Sequence, residues 1–223
     1  MQINTLIRYL TSFIIFYFNI CLFISINTYF CVMKKIAVFA SGDGTNAENI
    51  CNYFINNKSV GVVLLATNKK DSFVVERLKK FSVSVFCFNK EELDNTEVVQ
   101  KKLLECSVDL IVLSGFLLKI PKGITSLFPN KIINIHPSLL PKFGGKGMYG
   151  ENVHKAVVDA KETQSGITIH YVNNNYDEGN VVFQEKIPLT KNETPESLSK
   201  KIHGLEIKYF PLVIENVINS LSV

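Results

Sequence analysis

The chain has 223 residues, 47% of them hydrophobic, with a net charge of +4 from 24 basic and 20 acidic side chains. That length and apolar content suit one globular α/β domain with a sizeable core. The mild charge fits an anionic small substrate as readily as nucleic acid, but no basic run is long enough for a nucleic-acid patch.

The head of the chain is unusual. Residues 10–32 carry no charge, and Arg8 is the only charged residue before Lys34. The stretch is long and apolar enough for a membrane anchor, and a signal peptide is a second reading. The third, which we favour, is upstream sequence with the functional start at Met33, because "MKKIAVFASGDG" reads as a soluble N-terminus beginning with its first strand. The expected division is therefore an extension over 1–32 and one folded domain over 33–223. A membrane association is expected only if 1–32 is translated and retained. Cys51, Cys87 and Cys106 lie in apolar segments without metal-ligand spacing, so they are expected as core thiols and no zinc site is expected.

After Met33, strands and helices alternate. Strands are predicted over 35–40, 60–68, 83–88, 109–115 and 131–136, each a β-branched apolar run. Between them, helices are predicted over 46–57, 72–81 and 90–107, the last as one amphipathic helix. Continuous apolar strands separated by helices imply a doubly wound, mostly parallel sheet buried on both faces. Such sheets bind ligands beyond the carboxyl ends of their strands. Two further strands, 165–172 and 180–189, are joined by "NNNYDEG" and predict a pair that extends the sheet. The chain closes with a helix over 194–221, with Thr194 as N-cap and Pro195 at its first position.

Three features carry chemistry. "SGDGTNA" (41–47) follows the first strand and opens the first helix, so its backbone N–H groups can cradle an anion. Gly42, Gly44 and Ala47 spell a dinucleotide fingerprint, but the second strand ends in "ATNKK", without the acidic residue that would hold a ribose. A single phosphate is the better reading. "NIHPS" ends the fifth strand. Asn134 and His136 share a face by the two-residue period, so amide and imidazole can point together into the crevice and hold an oxyanion. Asp177 lies in the turn "NNNYDEGN", where Glu178 is an equal candidate by composition. A carboxylate facing His136 would raise its pKa and keep it a donor. His154 and His170 are read as surface or packing residues. His203 and Glu206 share a face of the last helix.

Taken together, "SGDGTN", "LIVLSGFLLKIP", "NIHPSLLPK", "SGITIHYVNNNYDEG" and "LEIKYFP" make 33–223 resemble the phosphoribosylglycinamide formyltransferase family. The resemblance implies a Rossmann-like single domain. It also implies transfer of a formyl group from 10-formyltetrahydrofolate to the amine of 5-phosphoribosylglycinamide, in purine synthesis in the cytoplasm, without a metal. By this resemblance Gly44, Thr45, Asn46 and Glu206 bind the phosphoribosyl substrate. Asn134, His136 and Asp177 are catalytic. Lys90, Leu117, Leu118, Lys119, Ile120 and Asn134 contact the folate. The loop "KFGGKGMYG" departs from the commoner version, which carries Pro and His there. The rivals are another 10-formyltetrahydrofolate-dependent transferase or hydrolase and a non-catalytic nucleotide-binding module. Methionyl-tRNA formyltransferase adds a C-terminal RNA-binding domain and formyltetrahydrofolate hydrolase an N-terminal regulatory one, and neither is expected here. A monomer or a homodimer is expected, with no nucleic-acid partner.

Overall fold

Ile36 and Val38 point to one side of the first strand and Ala37 and Phe39 to the other, and all four are fully buried. A strand apolar on both sides requires cover on both. The computed structural model describes residues 33–221. The extension over 1–32, and with it the choice among anchor, signal peptide and upstream sequence, lies outside the described residues.

Within them, seven strands form one sheet in the order β3-β2-β1-β4-β5-β6-β7. They are β1 Lys34–Phe39, β2 Val60–Thr67, β3 Ser84–Cys87, β4 Leu110–Leu113, β5 Ile132–His136, β6 Gln164–Tyr171 and β7 Val181–Pro188. The first five are parallel, and β6 and β7 add antiparallel to β5. The helices are α1 Thr45–Phe54, α2 Phe73–Leu78, α3 Lys90–Asn95, α4 Glu97–Glu105, α5 Lys122–Leu127, α6 Glu151–Asp159 and α7 Pro195–Ser220. One face of the sheet packs on α1, α2, α6 and α7, through residues such as Ile50, Val74, Val157 and Phe210. The other packs on α3, α4 and α5 through Leu93, Leu103 and Ile124. This is the doubly wound, mostly parallel α/β sheet expected. Among the described residues no helix is long and apolar enough to cross a membrane.

The local signals act as physics demands. Thr194 caps α7 by accepting from the Ser197 N–H at 3.2 Å, and Pro195 takes the first helical turn, where its missing N–H costs nothing. Three expectations need correction. The helix predicted over 90–107 is two helices, because Thr96 adopts φ 65° and breaks the ladder while Asn89 caps α3 independently. The short helix α5 carries no apolar period over its "KGITSL" and was not foreseen. Cys87 is exposed because β3 is an edge strand, whereas Cys51 is a core thiol whose pKa burial pushes up to about 12.

The chain leaves β1 toward β2 and β3 and then returns to β4 on the other side of β1. The winding direction reverses between β1 and β4, the kind of switch point beyond whose strand ends open α/β sheets hold their ligand crevice.

Candidate active site

The crevice is a cavity of about 640 Å³, within the range of roughly 300–1,000 Å³ usual for small-molecule sites. Its floor is strand ends. The Ser41 N–H donates to the Gly115 carbonyl at 3.1 Å, and the Leu117 N–H donates to the Ser41 hydroxyl at 3.2 Å. These bonds tie the loop after β1 to the loop after β4. Leu117, Leu118, Lys119 and Ile120 line one side of the cavity, with the Lys119 ammonium 5.5 Å from the centre of the Tyr176 ring.

On β5, Ile133 and Ile135 enter the core on one side of the sheet, so Asn134 and His136 fall on the other, as the two-residue period requires. Antiparallel pairing sets His170 of β6 directly opposite Asn134, and Thr168 opposite His136. Thr168 braces the loop that follows: its hydroxyl donates to the Ser138 carbonyl at 2.7 Å and accepts from the Leu140 N–H at 3.0 Å. The Ser138 hydroxyl in turn donates to the Lys142 carbonyl at 2.8 Å.

That braced loop delivers the Phe143 carbonyl to His136, whose Nε2–H donates to it at 2.8 Å. The proton of a neutral His136 therefore sits on Nε2, and Nδ1 presents a lone pair. Nδ1 lies 3.6 Å from Asp177 Oδ2. His170 has the opposite tautomer when neutral. Its Nδ1–H donates to the Tyr171 carbonyl at 2.9 Å, and its Nε2 accepts from Asn134 Nδ2 at 3.2 Å. This orients the Asn134 amide and leaves its second N–H free to serve the cavity.

Asp177 comes from the β6–β7 turn and bridges both imidazoles, with Oδ1 3.5 Å from His170 Nε2. The Gly145 N–H donates to its Oδ2 at 2.9 Å. Gly179 makes the turn possible: a Cβ there would stand 1.6 Å from the Tyr171 carbonyl oxygen, so only glycine lets the chain close this tightly. Glu178, equal to Asp177 by composition, bonds Asn175 instead at 2.7 Å.

The electrostatics correct one expectation. Burial is the largest influence on His136 and lowers its pKa below the ordinary histidine value; the Asp177 carboxylate and the Phe143 carbonyl oppose that shift without overcoming it. The resting imidazole is neutral at neutral pH, not a standing cation. For Asp177, burial pushes upward, but His170, His136 and the Gly145 N–H together hold its carboxyl below the usual range.

At the other end of the cavity, Asn46 Nδ2 donates to Glu206 Oε2 at 2.8 Å, and the same oxygen lies 3.5 Å from His203 Nδ1. The Glu206 hydrogen bond raises the His203 pKa against the effect of burial. Among the described residues Asn46 Oδ1 is buried without a partner. Gly44 precedes α1 with φ 75°, and a Cβ there would stand 2.3 Å from Val74 Cγ2, so this glycine serves packing against α2 as well as the turn.

The structure thus brings Asn46, Leu117, Leu118, Lys119, Ile120, Asn134, His136, Asp177 and Glu206 to one cavity. Gly44 and Thr45 stand beside Asn46 at the start of α1 but do not line it. Lys90 does not line it either; its ammonium pairs with Asp94 at 2.7 Å. All four histidines of the chain line the cavity, including His154 and His170, which were expected as surface or packing residues. The missing signal was the β5–β6 register, which no single segment encodes.

A family model described as Formyl transferase matches residues 34–214. A curated phosphoribosylglycinamide formyltransferase of Bacillus subtilis is 35% identical over 191 residues, which cover 83% of this chain and 95% of the relative. The chain belongs to the phosphoribosylglycinamide formyltransferase family. A chloroplastic phosphoribosylglycinamide formyltransferase of Arabidopsis thaliana is 41% identical over 81% of this chain; the chain spans 64% of that relative's length. Among solved structures, phosphoribosylglycinamide formyltransferase from Bacillus halodurans is 33% identical, covers 84% of this chain and 96% of its own, and superimposes with a TM-score of 0.75. Residues 34–214, which the family model matches, span the whole sheet, including the antiparallel β6–β7 pair whose first strand carries His170 and leads into Asp177.

Proposed function

We propose that residues 33–223 form a formyltransferase domain that moves the formyl group of 10-formyltetrahydrofolate to the amine of 5-phosphoribosylglycinamide. The products are the formylated amide and tetrahydrofolate, and the step belongs to purine (IMP) biosynthesis. The observation that carries this reading is the meeting of Asn134, His136 and Asp177 in a cavity that also reaches Asn46 and Glu206. Membership of the family supports it.

In this reading the start of α1, from Gly44 to Asn46, takes the substrate phosphate on backbone N–H groups, and Glu206 accepts from ribosyl hydroxyls. The segment 117–120 flanks the folate ring, and Lys90, which does not line the cavity, has no part in this reading. The substrate amine attacks the formyl carbon, forming a C–N bond while the carbonyl π electrons move to oxygen. The free Asn134 N–H donates to that oxygen. His136 takes the amine proton at Nδ1, where neutral imidazole has its lone pair, and becomes an imidazolium whose two N–H groups face Phe143 and Asp177. Asp177 stabilises that cation. Collapse of the tetrahedral centre breaks the bond to the folate nitrogen, which takes the proton from the His136 imidazolium as it leaves, and His136 returns to its neutral form. Burial of His136 suits this role, because a base must rest unprotonated.

The co-substrates are the only small molecules this chemistry requires, and we place the reaction in the cytoplasm, in a monomer or homodimer. The deciding experiment mixes the purified protein with both co-substrates and follows folate absorbance. Formation of tetrahydrofolate that depends on 5-phosphoribosylglycinamide is the expected result. Folate turnover that ignores the amine would point to a hydrolase, and none at all to a binding module.

A further inference from the structure

His136, His170 and His203 each have a hydrogen-bonding neighbour within the site. His154 differs. It sits on α6 and is 5% exposed, yet among the described residues neither ring nitrogen has a hydrogen-bond partner, and Nδ1 is fully buried. Its helix neighbours Val153 and Val157 are core residues, so an apolar side chain at 154 would complete the packing without burying an unpaired nitrogen. A polar ring kept in such a place calls for a partner that arrives from outside the chain.

The ring's edge identifies that partner's chemistry. A neutral imidazole has one N–H. On Nδ1 it would be a buried donor with nothing to meet. On Nε2 it leaves only a lone pair buried and turns the donor toward the cavity that His154 lines. Burial lowers the pKa of His154 against the opposing pull of Glu206 and Glu151, which keeps the ring neutral. His154 lines the same cavity as Glu206 and His136.

We propose that His154 is a substrate-contacting residue whose Nε2–H donates to an uncharged oxygen in the ribosyl-glycinamide segment of the amine substrate. The proposal rests on the formyl-transfer reading above. It gives the substrate a neutral anchor in the cavity that also holds Glu206 and His136, which aligns the amine with the formyl carbon.

The test compares His154→Ala, His154→Phe and His154→Gln in the full chain, varying each co-substrate separately. The Phe variant keeps the packing and loses the donor; the Gln variant restores an amide N–H at similar reach. We expect the Ala and Phe variants to lose about tenfold in kcat/KM for the amine substrate, with the KM for the formyl donor unchanged and most of the loss recovered in the Gln variant. A Phe variant with wild-type kcat/KM, or a Gln variant no better than Phe, overturns the proposal. If the Ala and Phe variants do not fold, wild-type protein decides. In 15N-histidine spectra, assigned with the Gln variant, 5-phosphoribosylglycinamide should shift the His154 Nε2 signal and the folate should not; no shift overturns it. A wild-type chain that binds 5-phosphoribosylglycinamide with that shift but transfers no formyl group would instead remove the formyl-transfer reading.

Discussion

The cavity has two unlike walls. One is made of the strand ends and what directly follows them: the first turn of α1 with Asn46, the loop after β4 with residues 117–120, and β5 with Asn134 and His136. The other is made of chain reversals: the β6–β7 turn with Asp177, and the loop 142–150 that follows β5. In the first wall Asn134 and His136 are set by a backbone ladder with a fixed rise and a fixed alternation. In the second, positions are set by individual bonds, such as Gly145 N–H to Asp177 and Ser138 hydroxyl to Lys142. The proposed chemistry takes one member from each wall, a strand-borne imidazole and a loop-borne carboxylate. The ladder supplies rigidity, and the reversal supplies charge where no strand could bring it.

The largest expected effect removes one member from either wall. His136→Ala and Asp177→Ala should each lower kcat by about 100–1,000-fold, the scale typical of losing one group that meets developing charge. Both variants should melt as folded proteins, and near-normal transfer in both would sink the assignment.

The glycines separate the walls more finely. Gly179→Ala must displace the Tyr171 carbonyl, and Gly44→Ala must displace Val74 and hold φ 75°. Each should cost about 1–3 kcal/mol of stability in denaturant unfolding. Their kinetic signatures should differ. Gly179→Ala moves Asp177 and should lower kcat, whereas Gly44→Ala moves the anion loop and should raise the KM for the amine substrate. Identical signatures would show that the two walls do not act separately.

A smaller effect tests the electrostatics directly. By NMR titration, His136 should ionise below the ordinary histidine value in the resting protein. In Asp177→Asn it should ionise lower still, because the carboxylate favours the cation and its removal leaves burial unopposed. An upward shift would mean that the carboxylate is not coupled to the ring. The smallest effect belongs to Lys90→Ala. Its ammonium is solvated and paired with Asp94, and Lys90 does not line the cavity, so Tm and the KM for the formyl donor should both stay unchanged. A raised KM would bring Lys90 back as a folate contact.

Much of the first wall was legible before any coordinates. The alternation of "KIINIH" aims Asn134 and His136 to one side, because a strand's period does not depend on its neighbours. The glycine turn before α1 is likewise local. What escaped was of another kind. His170 reads as an ordinary strand residue until pairing with β5 sets it against Asn134. His154 reads as a helix residue among valines until α6 is seen to pack at the cavity. The break at Thr96 hid inside a continuous amphipathic pattern, since periodicity reports which side is apolar and not whether the ladder is unbroken.

By itself, the sequence determined the strands, most of the helices, the parallel half of the sheet and the shared side of Asn134 and His136 on β5, since each follows from short-range periodicity and capping. The Asp177 role entered through family resemblance, not through any local pattern. Only the tertiary structure decided that Asp177 rather than Glu178 reaches His136, that burial outweighs that carboxylate and leaves the ring neutral, and that all four histidines share one cavity. Those outcomes depend on distances between segments far apart in the chain, and on the water excluded when they close together.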